Sequence, residues 1–185
     1  MEPLRPLIAV YGSSSVGEDE PAYALAHALG GELARAGASV MTGGYGGVME
    51  ACSRGAAEAG GHVIGVTVDL YAHRGPANRW VHELIHTRDL FERLGVLAGR
   101  ADGFVAVGGS LGTLTEVFLT WTLLGARARP SGPLVLLGSD WEPVLRAHRD
   151  AGFIAPDSFR HIQIAADPAE AARQVLAGNA TQPNA

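Results

Sequence analysis

The sequence predicts an α/β protein with a Rossmann-like, doubly wound parallel sheet flanked by helices. Short apolar runs rich in β-branched residues alternate along the chain with longer segments that carry helix start and stop signals. Strict alternation of this kind is typical of a parallel sheet with helices on both faces. Gly- and Ser-rich segments follow several of these runs, as they do where a strand leads into a ligand-binding corner.

Six segments are expected to be strands, and most of them are continuously apolar, as strands buried on both faces should be. They cover residues 7–11, 38–42, 62–68, 103–107, 133–137 and 161–165. We expect a strand order near 3-2-1-4-5-6, which is the common doubly wound order. This order puts the first and fourth strands side by side at a topological switch point, where such sheets bind their ligands.

Helices are expected between the strands and after the last one. They cover residues 18–37, 48–60, 114–126, 141–152 and 167–178. The last helix has Asp167 as its N-cap, Pro168 at the first helical position and Glu170 three residues after the cap. We therefore expect residues 1–178 to form a single α/β domain and residues 179–185 to be a disordered tail.

Composition and charge exclude several classes of protein. Of the 185 residues, 47% are hydrophobic, which is enough for one domain with a substantial core. All 14 basic residues are arginine. The absence of lysine excludes a P-loop nucleotide hydrolase and a pyridoxal phosphate enzyme, because both need a lysine for their chemistry. The net charge of −5 does not favour a nucleic-acid partner.

The sequence carries no signal for secretion or membrane insertion. The single cysteine, Cys52, rules out an internal disulfide framework, fits a reducing compartment and is interpreted as a packing residue. No apolar run reaches the roughly 20 residues that a membrane span needs. Residues 1–11 lack the zones of a signal peptide. We therefore expect a cytoplasmic protein that has no membrane partner.

Three loops rich in glycine or serine follow the first, second and fourth strands, at residues 12–17, 42–47 and 108–113. Glycine lets the main chain approach a ligand closely, and the unpaired N–H groups at a helix start attract anions. Each loop alone is equally consistent with a tight strand–helix turn, because glycine patterns are weak signals. Their expected convergence at the switch point favours a nucleotide or a sugar phosphate as the ligand.

Glu116 has two interpretations from the residues alone. Thr113 and Glu116 have the spacing of a capping box, in which the threonine caps a helix and the glutamate bonds back to the cap's N–H. A carboxylate one turn into a helix whose start holds a phosphate would also lie near the ligand. The spacing by itself favours the capping box.

Several segments together resemble the LOG (LONELY GUY) family. Residues 108–116 resemble the family's P-G-G-x-G-T-x-x-E motif, and the segment YGSSS at 11–15 looks like its first loop. Residues 43–66 are similar to its second glycine loop with the helix and strand that follow. Residues 91–109 resemble its E-R-K segment and the strand that leads into the main motif. The similarity spans residues 7–137.

The resemblance implies a phosphoribohydrolase that cleaves the N-glycosidic bond of a cytokinin-type purine riboside 5′-monophosphate. The products would be the free base and ribose 5-phosphate, and the small-molecule partner would be an AMP-like nucleotide. Members of the family use no cofactor or metal and form homodimers or larger homo-oligomers. These properties are expectations that come from the resemblance and not from the composition.

The resemblance also implies site residues. The family's catalytic pair corresponds to Arg93 and Glu116, and a carboxylate beside the ribose would stabilise an oxocarbenium-like transition state. Arg93 would keep this carboxylate ionised by lowering its pKa. Without the resemblance, a surface ion pair with Asp89 is the simpler interpretation of Arg93. The residues implied to bind the substrate or its phosphate are Ser13, Ser14, Gly44, Gly46, Gly109, Ser110, Gly112 and Thr113.

Some positions depart from the family pattern. Gly108 stands in place of the motif's proline and Ser110 in place of its second glycine, while Leu94 replaces the lysine of E-R-K and Phe91 the preceding histidine. The resulting glycine loop also looks like that of the molybdenum-cofactor carrier proteins, which share the fold but cleave no glycosidic bond. A non-catalytic carrier or sensor of a phosphorylated ligand is therefore the alternative. The presence of both catalytic residues favours the hydrolase.

The connection 69–86 is long for an α/β fold, and we expect it to form a lid over the base. His82 and His86 have a spacing that could suggest a metal, but no third ligand lies nearby in the sequence, so solvated histidines are the favoured interpretation. Side chains of the connection that could stack on or hydrogen-bond a purine are His73, Arg74, Asn78, Arg79, Trp80, His82 and His86.

Overall fold

The computed structural model describes residues 5–126 and 132–177, and within them seven strands form one parallel sheet. The order of the strands across the sheet is β4-β3-β2-β1-β5-β6-β7. The strands are β1 Leu7–Gly12, β2 Ser39–Thr42, β3 Val63–Val68, β4 Glu83–Thr87, β5 Gly103–Val107, β6 Leu134–Leu137 and β7 Ile162–Ala165.

The predicted order of six strands is confirmed, and one edge strand is added to it. The six expected strands are all strands other than β4, and they lie in the order 3-2-1-4-5-6. Strand β4 begins inside the connection 69–86 and pairs with β3. Its residues Glu83, Leu84 and His86 are exposed, and only Thr87 is buried. An edge strand of this kind lacks the continuous apolar run by which an inner strand is recognised.

In the part of the chain that the structure describes, five α-helices lie between strands, a sixth follows β7, and there are two short 3₁₀ helices. The predicted N-cap of the last helix is confirmed, because the Asp167 carboxylate accepts a hydrogen bond from the Glu170 N–H at 2.8 Å. The predicted tail, 179–185, lies outside the described residues. The helices are α1 Pro21–Arg35, α2 Val48–Glu58, α3 Leu90–Arg100, α4 Leu111–Gly125, α5 Trp141–Asp150 and α6 Pro168–Ala177, with 3₁₀ helices at Asp69–Arg74 and Pro156–His161.

The core has two layers, one on each face of the sheet. Successive side chains of a strand point to opposite faces, so Ile8 and Val10 of β1 pack into the layer below α1, α2 and α6. Ala9 and Tyr11 of the same strand pack into the layer below α3, α4 and α5. In the residues that the structure describes, no helix has both the length and the apolar character needed to cross a bilayer.

Helices α1 and α2 lie in direct main-chain contact through glycine. A Cβ atom added at Gly30 would overlap the carbonyl oxygen of Cys52, and one added at Gly55 would overlap that of His27. Cys52 is fully buried in this layer, and burial raises the pKa of its thiol to about 12. The thiol therefore stays protonated near neutral pH, as a packing residue should.

Candidate active site

The first and third of the predicted glycine or serine loops meet at the switch point between β1 and β5. Gly12 at the end of β1 pairs with Val107 at the end of β5, so both loops leave the same edge of the sheet. A cavity of about 440 Å³ opens between them. Its walls are formed by Gly12, Ser13, Ser14, Ser15, Met49, Tyr71, Arg74, Leu90, Arg93, Leu94, Ser110, Leu111, Gly112, Thr113, Thr115 and Glu116.

Helix α4 begins at the wall of this cavity, three residues earlier than its sequence indicates. Its N-cap is Ser110, whose hydroxyl accepts the Thr113 N–H at 3.4 Å. The capping-box interpretation of Thr113 and Glu116 is therefore wrong, because Thr113 already lies within the first turn. The N–H groups of Leu111 and Gly112 have no partner inside the helix and lie at its positive end. This end of the cavity favours an anion.

Arg93 is held in the cavity wall by contacts to three other segments. Its side chain is only 6% exposed, and Nε donates to the Val66 carbonyl at 2.8 Å. One terminal nitrogen donates to Glu116 Oε1 and the other to the Gly43 carbonyl, each at 3.4 Å. The interpretation of Arg93 as the surface partner of Asp89 is wrong, because Asp89 instead caps α3 by accepting the Glu92 N–H.

Gly43 makes room for the Arg93 guanidinium. A Cβ atom at this position would overlap an arginine nitrogen and the sulfur of Met49. Gly43 is a residue of the site that sequence reasoning missed. The glycines of the second loop were the signal, but they were interpreted as contacts to the substrate or its phosphate and not as room for an arginine side chain.

Glu116 lies one turn beyond the start of α4, with its carboxylate facing Arg93. The side chain is 12% exposed. Burial raises the pKa of this carboxyl to about 7, although the neighbouring Arg93 charge acts to lower it. The expectation that Arg93 keeps the pKa low is therefore wrong, because the cost of removing the carboxylate from water outweighs the attraction of the guanidinium.

The second glycine loop supports the first loop and does not line the cavity. The Ser13 carbonyl accepts the Val48 N–H at 2.9 Å, so the start of α2 is covered by main chain. A Cβ atom at Gly47, which has a φ of 66°, would overlap that carbonyl. Contrary to expectation, Gly44, Gly46 and Gly109 are not among the residues that line the cavity. The other five implied binding residues, Ser13, Ser14, Ser110, Gly112 and Thr113, do line it.

Only part of the connection 69–86 reaches the cavity. The 3₁₀ helix Asp69–Arg74 contributes Tyr71 and Arg74, and Tyr71 was missed in the sequence. His86 instead bonds to Thr67 and Asp69, and the His82 ring accepts the Val63 N–H. Within 5–126 and 132–177, no group of three or more histidine, cysteine or acidic side chains could hold a metal ion.

Sheet topology and site geometry define a Rossmann-like protein with an Arg93–Glu116 pair in the wall of a cavity at its switch point. The model of the SLOG cluster4 family matches residues 5–126. A probable cytokinin riboside 5′-monophosphate phosphoribohydrolase of Oryza sativa subsp. japonica is 35% identical, covering 88% of this chain and 73% of that protein. The cytokinin riboside 5′-monophosphate phosphoribohydrolase LOG7 of Arabidopsis thaliana is 31% identical, over 91% of this chain and 80% of its own. The chain belongs to the LOG family.

Solved structures of a second group share the fold. The molybdenum cofactor carrier protein from Chlamydomonas reinhardtii superposes with a TM-score of 0.71 and 32% identity. The match covers 94% of this chain and 99% of that one. Both groups that the glycine loop resembles are therefore similar to this protein over most of its length.

Proposed function

We propose that the protein is a phosphoribohydrolase that cleaves the N-glycosidic bond of a cytokinin-type purine riboside 5′-monophosphate. The observation that carries the proposal is the buried pair of Arg93 and Glu116 in the wall of the cavity at the switch point. The names of the relatives from Oryza and Arabidopsis support it, because they state this activity for those proteins.

In this proposal the 5′-phosphate binds at the start of α4. The N–H groups of Leu111 and Gly112 would donate to its oxygens. One of the Ser110 and Thr113 hydroxyls would donate as well, because these two hydroxyls share one hydrogen bond at 3.2 Å. Ser13 and Ser14 line the facing wall. Gly109, Gly44 and Gly46 would act through the shape of the loops, because they are not among the residues that line the cavity.

Glu116 would face the anomeric carbon of the ribose. As the bond from C1′ to the base nitrogen breaks, its electron pair leaves with the base, and the ionised carboxylate stabilises the positive charge on the sugar. The oxygen of a water molecule then bonds to C1′. One proton of that water passes through Glu116, and the base nitrogen ends with a proton. A carboxyl with a pKa of about 7 can both accept and release this proton near neutral pH.

We infer that the protein is a cytoplasmic homodimer or larger homo-oligomer. Leu111 lines the cavity, and Phe91 follows Leu90, which also lines it. The Phe91 and Leu111 side chains are 87% and 82% exposed, which gives a second copy apolar side chains to cover. The buried, unpaired Cys52 fits a reducing compartment.

The second candidate function is a carrier of a phosphorylated ligand. It is favoured by the match to the Chlamydomonas carrier and by Ser110, whose hydroxyl already occupies one N–H at the start of α4. The two candidates differ in one measurable respect, since only the hydrolase releases a free base.

The test is incubation of the purified protein with AMP and with N6-isopentenyl-AMP, followed by chromatography for the free base. We expect release by the wild type, and loss of release in Glu116→Gln and Arg93→Ala with ligand binding retained. Glu142→Gln is the matched control, because Glu142 is exposed on α5, where it pairs with Arg146. No release by the wild type, together with tight binding of a pterin, would contradict the hydrolase and support the carrier.

A further inference from the structure

Asn78 joins the connection 69–86 to the second glycine loop. Its side-chain nitrogen donates to the carbonyls of Gly44 and Tyr45 at 3.1 and 3.0 Å, and its main-chain N–H donates to the Gly44 carbonyl at 2.8 Å. Its side-chain oxygen accepts the Trp80 N–H at 3.2 Å. Both donors of the side-chain amide are thus engaged within the protein, and Asn78 is not among the residues that line the cavity. The structure therefore gives Asn78 a contact to the loop in place of the expected contact to a purine.

The loop that Asn78 holds also contacts the Arg93 guanidinium. Three successive carbonyls of the loop accept hydrogen bonds from side chains. The Gly43 carbonyl accepts from Arg93 at 3.4 Å, and the next two, of Gly44 and Tyr45, accept from Asn78. The centre of the Tyr45 ring lies 6.0 Å from the guanidinium. The position of the loop therefore fixes two neighbours of Arg93.

Hydrogen bonds restrain a loop whose glycines restrict its main chain very little. Gly44 has a φ of 78°, and Tyr45 is 3% exposed. The Tyr45 hydroxyl bonds to the N–H and the carbonyl of Val68, which fixes the far end of the side chain. Asn78 fixes the main chain at the near end. Without its amide, the Tyr45 carbonyl would lose a buried hydrogen bond, a loss that favours movement of the loop toward water.

We propose that Asn78 is a positioning residue for Arg93, which it holds against Glu116 through the second glycine loop; the proposal rests on the proposed hydrolase function. The contact from Arg93 to Glu116 is 3.4 Å long, at the outer limit of a hydrogen bond, so a small movement is enough to break it. The bond from Arg93 to the Val66 carbonyl does not involve the loop. Loss of Asn78 should therefore displace the guanidinium without releasing it from the site.

The first experiment measures kcat and KM of Asn78→Ala and His82→Ala with N6-isopentenyl-AMP. His82 is the matched control, because it belongs to the same connection and accepts a main-chain N–H, but at Val63, the end of β3 opposite to the glycine loops. We expect kcat of Asn78→Ala to fall by about tenfold or more, as for a misplaced catalytic group. KM should change little, because Asn78 does not line the cavity. His82→Ala should keep both wild-type values.

A double-mutant cycle with Gly43→Ala tests whether the effect passes through the guanidinium. The methyl group of Gly43→Ala already displaces Arg93. Asn78→Ala should therefore add little further loss in that background, because both changes act on the same group.

A second measurement does not depend on activity. Burial raises the pKa of the Glu116 carboxyl to about 7, and the Arg93 charge acts to lower it. Displacement of Arg93 should therefore raise this pKa further in Asn78→Ala and leave it unchanged in His82→Ala. Arg74, the other charged side chain in the cavity wall, is present in both variants. Titration followed by ¹³C NMR of the carboxyl carbon measures the pKa.

Three outcomes would overturn the role of Asn78. They are a wild-type kcat and Glu116 pKa in Asn78→Ala, equal losses in His82→Ala, and a loss that adds in full to that of Gly43→Ala. If the wild type releases no base, the hydrolase proposal fails separately. The pKa of Glu116 in the two variants then decides alone whether Asn78 positions Arg93.

Discussion

Glu116 combines two opposing influences on one carboxyl group. Burial raises its pKa to about 7, and the Arg93 charge limits the rise. A group of this kind is ionised in a useful fraction of molecules at neutral pH but is also able to hold a proton. The pair therefore makes protonation of the site sensitive to pH in the physiological range.

The pH profile of kcat/KM tests this assignment. Because the ionised carboxylate is the form that stabilises the sugar cation, activity should rise with pH through about 7 and level off above it. Glu116→Gln should lose at least about a hundredfold in kcat and the pH-dependent limb with it. A limb that stays near pH 4.5 in the wild type would show that burial does not shift the carboxyl.

The same shift should appear in protein stability. The folded carboxyl has a pKa of about 7 and its ordinary value is 4.5, so the folded state holds the proton more tightly than the unfolded state does. As pH rises from about 4.5 to 7, the wild type should lose up to about 3 kcal/mol relative to Glu116→Gln. Urea unfolding of both proteins at a series of pH values measures the difference. A difference that is constant with pH would contradict the shift.

Gly43 is the residue whose replacement should separate activity from folding. In Gly43→Ala the added methyl group would displace the Arg93 guanidinium, a flexible group that can move. We expect kcat/KM to fall by about a hundredfold or more, a loss typical of a misplaced catalytic group, while the thermal midpoint changes little. Gly95→Ala on α3 is the control, since its methyl group would meet no atom within 4 Å. Equal activity of the two variants would remove Gly43 from the site.

At the scale of elements, sequence and structure differ most at helix starts and at the sheet edge. The predicted start of α4 at residue 114 was late, because Ser110 and Gly112 are poor helix formers that the sequence presents as a loop. Strand β4 was missed because its exposed side chains give no apolar run. The strands with two buried faces and the Asp167 cap were predictable, since each depends on residues that are neighbours in the chain.

The contact between α1 and α2 gives a prediction at this scale. Gly30→Ala and Gly55→Ala should each destabilise the protein by about 1–3 kcal/mol, because the added methyl group meets the main chain of the other helix, which cannot move aside. Gly99→Ala in α3 should be neutral or stabilising by up to about 1 kcal/mol, since its surroundings are open. Denaturant unfolding of the three variants measures the effect. Equal stability of all three would mean that the helices separate freely.

At the scale of the whole molecule, topology brings together what is distant in the sequence. The alternation of strands and helices was enough to predict that the loops after β1 and β5 would meet. The burial of Arg93 was not predictable from its neighbours, because its partners Gly43, Val66 and Glu116 lie on three other segments. The resemblance to the family supplied that pair, whereas the residues alone favoured a capping box for Glu116 and a surface ion pair for Arg93.

Ligand binding should stabilise the whole fold. In Glu116→Gln, which should bind without cleavage, AMP at about 100 times its Kd should add about 2.7 kcal/mol to the free energy of unfolding. Adenosine at the same concentration should add much less, because it lacks the phosphate that the start of α4 would hold. Thermal unfolding with each ligand measures the two shifts. Equal shifts would mean that contacts to the phosphate do not contribute to binding.

Helix α4 carries both Gly112 at the proposed phosphate end and Glu116 at the proposed point of cleavage. The helical rise of 1.5 Å per residue separates these two positions by about 6 Å along a rigid axis. The helix would thus hold the phosphate site and the carboxylate at a fixed distance from each other, whatever base the ligand carries. Only compounds whose anionic group and scissile bond are separated by one pentose would reach the start of α4 and the Glu116 carboxylate at the same time.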